Sequence, residues 1–114
     1  MNRLIPALLL AGLAGIATAA PKAESAQECG IAADMAIVAR SLAEEDIQQP
    51  KADAIMARIY DVGASQRGQT LMREILGAAY QANQTRTSQA FAEELFAVCI
   101  KSGGNMDPIL GKRL

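Results

Sequence analysis

The chain has 114 residues, 51% of them hydrophobic, with 11 Lys and Arg against 12 Asp and Glu, two cysteines, four aromatic residues, and neither His nor Trp. That length holds one modest domain. The missing histidine excludes a His-based catalytic triad, a His-ligated zinc or haem and a His pH switch. The near balance of charge argues against a dedicated nucleic-acid binder, which normally carries a basic excess.

Residues 1–19 read as a secretory signal peptide. Arg3 supplies a short positive start, Leu4 to Ile16 an apolar stretch, and Ala17-Thr18-Ala19 a small-x-small cleavage site. The apolar stretch is shorter than the roughly 20 residues a spanning helix needs, so no membrane span is expected after processing. No Cys follows the cleavage context, which argues against a lipoprotein. The expected location is the periplasm or the exterior. Cleavage after Ala19 leaves 95 residues with net charge −2 and 45 hydrophobic side chains, an ordinary globular composition.

Residues 20–24, with Pro21, read as a short flexible leader. Ser25 and Glu28 then fit a capping box, and Ile31, Met35, Val38 and Leu42 follow at helical spacing. Cys29, Ala32, Ala36, Ala39 and Ala43 keep the same rhythm beside them, a pattern suited to close helix approach. Helix 1 is therefore expected from about 26 to 43, and Glu44-Glu45-Asp46 oppose its dipole and help to end it. Gln48-Gln49-Pro50 is the expected connector. Helix 2 follows over about 51–61, with Ala52, Ile55, Ile59 and Val62 as its stripe, Met56 beside it and Gly63 past its end. Residues 63–69 read as a loop or loose first turn. Helix 3 is expected over about 69–82, with Leu71, Ile75, Ala78, Ala79 and Ala82 inward and Met72 and Leu76 flanking. Thr87 or Ser88 caps helix 4, whose face is Phe91, Leu95, Val98 and Cys99, and Gly103-Gly104 ends it. Asp107 at the N-cap and Pro108 at the first helical position mark one more short helical turn, with Ile109, Leu110 and Leu114 available to dock.

No segment alternates with period two, and the chain holds three Val against 23 Ala. The expected fold is all-α: residues 25–114 form a single domain, an antiparallel four-helix bundle with a short C-terminal helical turn. A domain this small is marginal without a staple. Export means an oxidising compartment, and Cys29 and Cys99 make a natural pair there, placed by the bundle at one end. The bridge encloses 71 residues, worth roughly 4 kcal/mol of loop entropy. Two free thiols, or a soft-metal site, are the alternatives; with no C-x-x-C spacing the disulfide is preferred.

Chemistry is harder to find. The carboxylates fall mostly on helix surfaces and none marks a pair, so no catalytic residue is assigned; Asp34, in mid-helix, is the one of interest. Met35, Met56, Met72 and Met106 form no thioether cluster and read as core filler, so no metal or cofactor is expected. The most mixed polar–aromatic set is Arg58, Tyr60, Asp61, Arg67 and Tyr80, near the break after helix 2, and it is the candidate binding set. Asn83-Gln84-Thr85 matches a glycosylation triplet, which carries no meaning behind an alanine-rich signal of bacterial appearance.

The frame Glu28-Cys29-Gly30, Ala33-Asp34-Met35, Ala39-Arg40, Arg58-Ile59-Tyr60, Phe91-Ala92 and Cys99 resembles small exported two-cysteine helical proteins of proteobacteria. The resemblance implies export, helix and a disulfide; it implies no activity. In size, helicity and single disulfide the chain is also similar to the acid-activated periplasmic chaperones, though those contain Trp and are rich in Lys and Asp. The periplasmic immunity proteins of cell-wall amidases share the architecture alone. The expected function is non-enzymatic: an exported helical protein that binds another macromolecule, a protein partner or a second copy of itself. The alternative is an acid- or stress-activated periplasmic chaperone, and a small carboxylate-based enzyme ranks below both.

Overall fold

Ser25 opens the first helix as the capping box requires: its Oγ accepts the Glu28 backbone N–H at 3.2 Å. In the computed structural model, which describes residues 23–60 and 65–111, this helix is α1, Ala26–Glu44. The expected signal peptide, most of the leader, Asp61, Val62, Gly63 and Leu114 lie outside the described residues. The remaining helices are α2 (Gln49–Tyr60), α3 (Gln66–Ala79), α4 (Ser88–Lys101) and the single turn α5 (Asp107–Leu110). The fold is all-α, with no strand among the described residues.

Several boundaries follow from named caps. Ser65 Oγ accepts the Gly68 N–H, so α3 begins three residues before the expected start. Thr87 Oγ1 accepts the Ala90 N–H and opens α4. Pro50 does not precede α2 but sits in its first turn, where a missing N–H costs nothing. After α1 the chain turns through Asp46, a non-glycine residue at φ 61°. The Ile47 N–H reaches the Leu42 carbonyl and the Asp46 N–H reaches that of Ala43, a Schellman closure. The same closure ends α4, with Gly103 at φ 63° and the Gly104 N–H on the Cys99 carbonyl at 2.7 Å. Asp107 is the first residue of α5 rather than its cap. Its N–H is taken by Asn105 Oδ1, and its own Oδ1 is buried without a hydrogen bond.

The contacts fix an up-down-up-down order. Cys29, early in α1, is bonded to Cys99, late in α4, while Arg40, late in α1, reaches Arg86, just before α4 begins. These two helices are antiparallel. Glu28 and Arg67 join the starts of α1 and α3, and Arg40 meets Ala79 at the end of α3, so those two run parallel. Helix α1 is the hub, packed on α2, α3 and, most extensively, α4; α5 lies against both α3 and α4.

Alanine explains how one helix takes three neighbours. Ala32, Ala36 and Ala39 of α1, Ala52 of α2 and Ala79 of α3 are fully buried, and small side chains let the backbones approach. Larger groups fill the space between: Met56, Met72, Ile75, Leu76, Phe91, Leu95 and Met106. All four described methionines are core residues. The expected stripe of α1 is rotated. Met35 is buried and Val38 and Leu42 are partly buried, but Ile31 is 43% exposed, and the inward line runs through Cys29, Ala32, Ala36 and Ala39. On α2, Ala52 and Met56 carry the contact and Ile59 is 55% exposed. Ala82 lies beyond the end of α3 and is exposed.

Candidate functional site

The N-terminal third of α1 meets the end of α2 and the start of α3 in an open groove of about 220 Å³. Its floor is apolar, with Ile31, Met35 and Leu71; its walls are Glu28, Tyr60, Ser65, Arg67 and Gly68. Two polar pairs frame it. The Tyr60 hydroxyl donates to Asp34 Oδ2 at 2.7 Å. Arg67 grips Glu28 with both ends of its guanidinium, Nη1 to Oε1 at 3.0 Å and Nη2 to Oε2 at 2.8 Å, and approaches Glu24 at 3.5 Å. The Glu24 N–H also donates to Glu28 Oε1 at 2.8 Å, so the acid of the capping box reaches one residue beyond the cap itself.

These contacts set the protonation states. The Arg67 hydrogen bonds, with the Glu24 N–H, hold the Glu28 carboxyl below its usual range, and the Arg67 guanidinium is correspondingly raised. Burial, reinforced by the Asp34 carboxylate, holds the Tyr60 phenol well above its ordinary value. At neutral pH the groove therefore presents a neutral phenol, a charged acid–base pair and an apolar floor.

The structure brings two of the five candidate binding residues, Tyr60 and Arg67, into this groove. Arg58 stands exposed on α2, and Asp61 lies outside the described residues. Tyr80 is elsewhere. It follows α3, about 20 Å along that helix from Arg67 at 1.5 Å per residue, and its hydroxyl donates to the Ile47 carbonyl at 2.5 Å. Burial raises its phenol, and it ties the α1–α2 turn to the end of α3.

Three groove residues escape the sequence reading as site residues: Glu28, read only as a helix cap, Asp34, read as a mid-helix acid without a partner, and Ile31, read as core. Arg40 is a further omission. Its Nε donates to the Arg86 carbonyl at 2.7 Å, Nη1 to that of Ala79 at 3.1 Å and Nη2 to that of Gln84 at 3.2 Å. It is an organising residue for the 80–87 loop, with partners 39 to 46 residues away.

A second recess, about 310 Å³, opens over the disulfide between Ala23, Ser25, Ala26, Ile100 and Gly104. Cys29 and Cys99 beneath it are 3% and 0% exposed, with Cα atoms 5.7 Å apart. Among the described residues no polar or charged side chain is fully buried, and no three Cys, Asp or Glu stand close enough together to hold a metal ion. No described helix is long and apolar enough to cross a membrane. Compared with protein-family models, with curated proteins and with solved structures, the chain matches none.

Proposed function

We propose that this is an exported, periplasmic or secreted, non-enzymatic protein that works by binding another macromolecule, and that the α1–α2–α3 groove receives an apolar side chain of that partner. The observation that carries the reading is Ile31, 43% exposed on the floor of a groove rimmed by the Tyr60–Asp34 and Arg67–Glu28 pairs. A volume near 220 Å³ is below the roughly 300–1,000 Å³ of small-molecule sites and fits one or two protruding side chains. The polar pairs are mutually satisfied, which suits a rim that excludes water around an apolar contact. The disulfide supports an oxidising compartment.

The test is comparative retention. Proteins of the exported compartment are passed over the immobilised wild-type chain and over an Ile31→Glu, Tyr60→Ala double variant. The reading expects a species held by the first and lost from the second. Equal retention by both, or none by either, overturns it.

One feature favours the acid-activated chaperone as a second reading. The starts of α1 and α3 are clamped by an ion pair, Glu28–Arg67, that strong acid dissolves. Full protonation of the carboxylates leaves a large net positive charge, which opposes a compact state. An unchanged helical, compact protein at pH 2, read by circular dichroism and sedimentation, refutes that alternative.

A further inference from the structure

The recess over the disulfide has a wall that belongs to neither of the bridged helices. Ala23 and Glu24, ahead of the Ser25 cap, form it together with the start of α1. Ile100, Gly103 and Gly104, at and just past the end of α4, form the facing wall, and Cys29 and Cys99 lie between.

The segment at Ala23 is seated on α4. Ala23 is buried, and its N–H donates to the Gly104 carbonyl at 3.0 Å. Its own carbonyl lies so close to Gly104 that a Cβ there would run into the oxygen. Glycine at position 104, at φ 100°, is therefore what lets the segment close over the end of α4. The hold is nevertheless light. On the α4 side it is the Ala23–Gly104 hydrogen bond. On the α3 side the Glu24 N–H donates to Glu28 Oε1 at 2.8 Å, and the exposed Glu24 carboxylate stands 3.5 Å from Arg67. An exposed ion pair of that length contributes little. Releasing these contacts costs far less than separating α1 from α4, which share Ala32, Ala36, Phe91 and Leu95 in the core.

We propose that Ala23 and Glu24 form a strap that gates thiol attack on the Cys29–Cys99 bridge, so that the bridge exchanges with a dithiol by local release of the strap while the helices stay packed. Both cysteines are buried with the strap in place, and exchange needs direct access of a thiolate to one of the two sulfurs. Once the strap lifts, a thiolate of the dithiol bonds to one bridge sulfur, the S–S bond breaks and the other cysteine leaves as a thiolate. The second thiol of the reagent then displaces the first cysteine. The dithiol becomes a cyclic disulfide, and its two electrons and two protons end on Cys29 and Cys99 as thiols. The strap is thus a redox-sensitive latch: the bridge persists while it is seated and becomes exchangeable when it is not. The proposal does not depend on the function given above.

The test is the rate of bridge reduction by dithiothreitol at mildly alkaline pH, without denaturant, read by alkylation and mass spectrometry on the exported protein. Two substitutions loosen the strap from opposite sides of its contact. Gly104→Ala places a Cβ against the Ala23 carbonyl, and Ala23→Pro removes the N–H that Gly104 accepts, outside every helix. Each should speed reduction at least tenfold with native dichroism retained, and Ala23→Pro carries the test alone if Gly104→Ala does not fold. The control is Arg40→Met, which weakens the domain about 16 Å along α1 from Cys29, by the helical rise. If the bridge opened only through global unfolding, that variant would speed reduction by about thirtyfold or more. The strap predicts a rate within twofold of wild type. Strap variants that reduce no faster than wild type overturn the proposal, as does an Arg40→Met protein accelerated as much as they are.

Discussion

Replacing Arg40 with Met keeps an unbranched apolar stem of similar reach and removes three hydrogen bonds at once. The guanidinium spans the carbonyls of Ala79, Gln84 and Arg86, which no single backbone segment of α1 could satisfy. A hydrogen bond to a charged group is worth about 1.5–3 kcal/mol when both partners are desolvated. Arg40 is only partly buried, and the Gln84 and Arg86 carbonyls belong to a loop that water can reach, so the three do not add in full. The expected loss is about 2–3 kcal/mol, which for a domain of this size lowers Tm by about 10–20 °C. Arg40→Lys should fall between, because one ammonium cannot span all three acceptors. Urea and thermal unfolding followed by far-UV dichroism measure the loss, and hydrogen exchange should quicken first in residues 80–87. An Arg40→Met protein within about 0.5 kcal/mol of wild type would refute the reasoning, since surface substitutions alone produce changes of that size.

Reduction of Cys29–Cys99, separated by 70 residues, should cost about 2–4 kcal/mol, read as a lower urea midpoint in dithiothreitol with helix content kept; an unmoved midpoint contradicts the staple. Glu28 is lowered in the folded state, so its contribution is complete above the ordinary carboxylate value of 4.5 and is lost as the pH falls through the folded one. Arg67→Ala should therefore flatten the fall in stability below pH 4.5, by less than about 1 kcal/mol for so exposed a pair, in denaturation curves taken at successive pH values. Gly104→Ala should disrupt the N-terminal end of the fold, because a Cβ at φ 100° would run into the carbonyl of Ala23, whose N–H bonds to Gly104 at 3.0 Å; unaltered exchange protection at Ala23 contradicts this.

Local signals located the helices well. Ser25 and Thr87 act as the caps their side chains imply, Gly103 takes the left-handed turn, and the two cysteines meet at one end of an antiparallel pair. What periodicity could not fix was rotation. The α1 stripe is wide enough to face inward along either its Ile31 side or its alanine side. The bond from Cys29 to α4 and the close approach permitted by Ala32, Ala36 and Ala39 decide for the second and leave Ile31 on the surface. The groove was half legible for the same reason. Tyr60 and Arg67 stood out by type, but their partners Asp34 and Glu28 lie 26 and 39 residues away. Tyr80 stood out by type as well, and its hydroxyl ties the α1–α2 turn to the end of α3, away from the groove.

The central claim, that the groove around Ile31 engages another macromolecule, is tested most directly by a photo-crosslinking residue at position 31 in the exported protein within its own cells. The account predicts a discrete crosslinked species that disappears when Tyr60→Ala is added and does not form from the exposed position 81, which lies far from the groove. No adduct from position 31, or the same adducts from both positions, would contradict it.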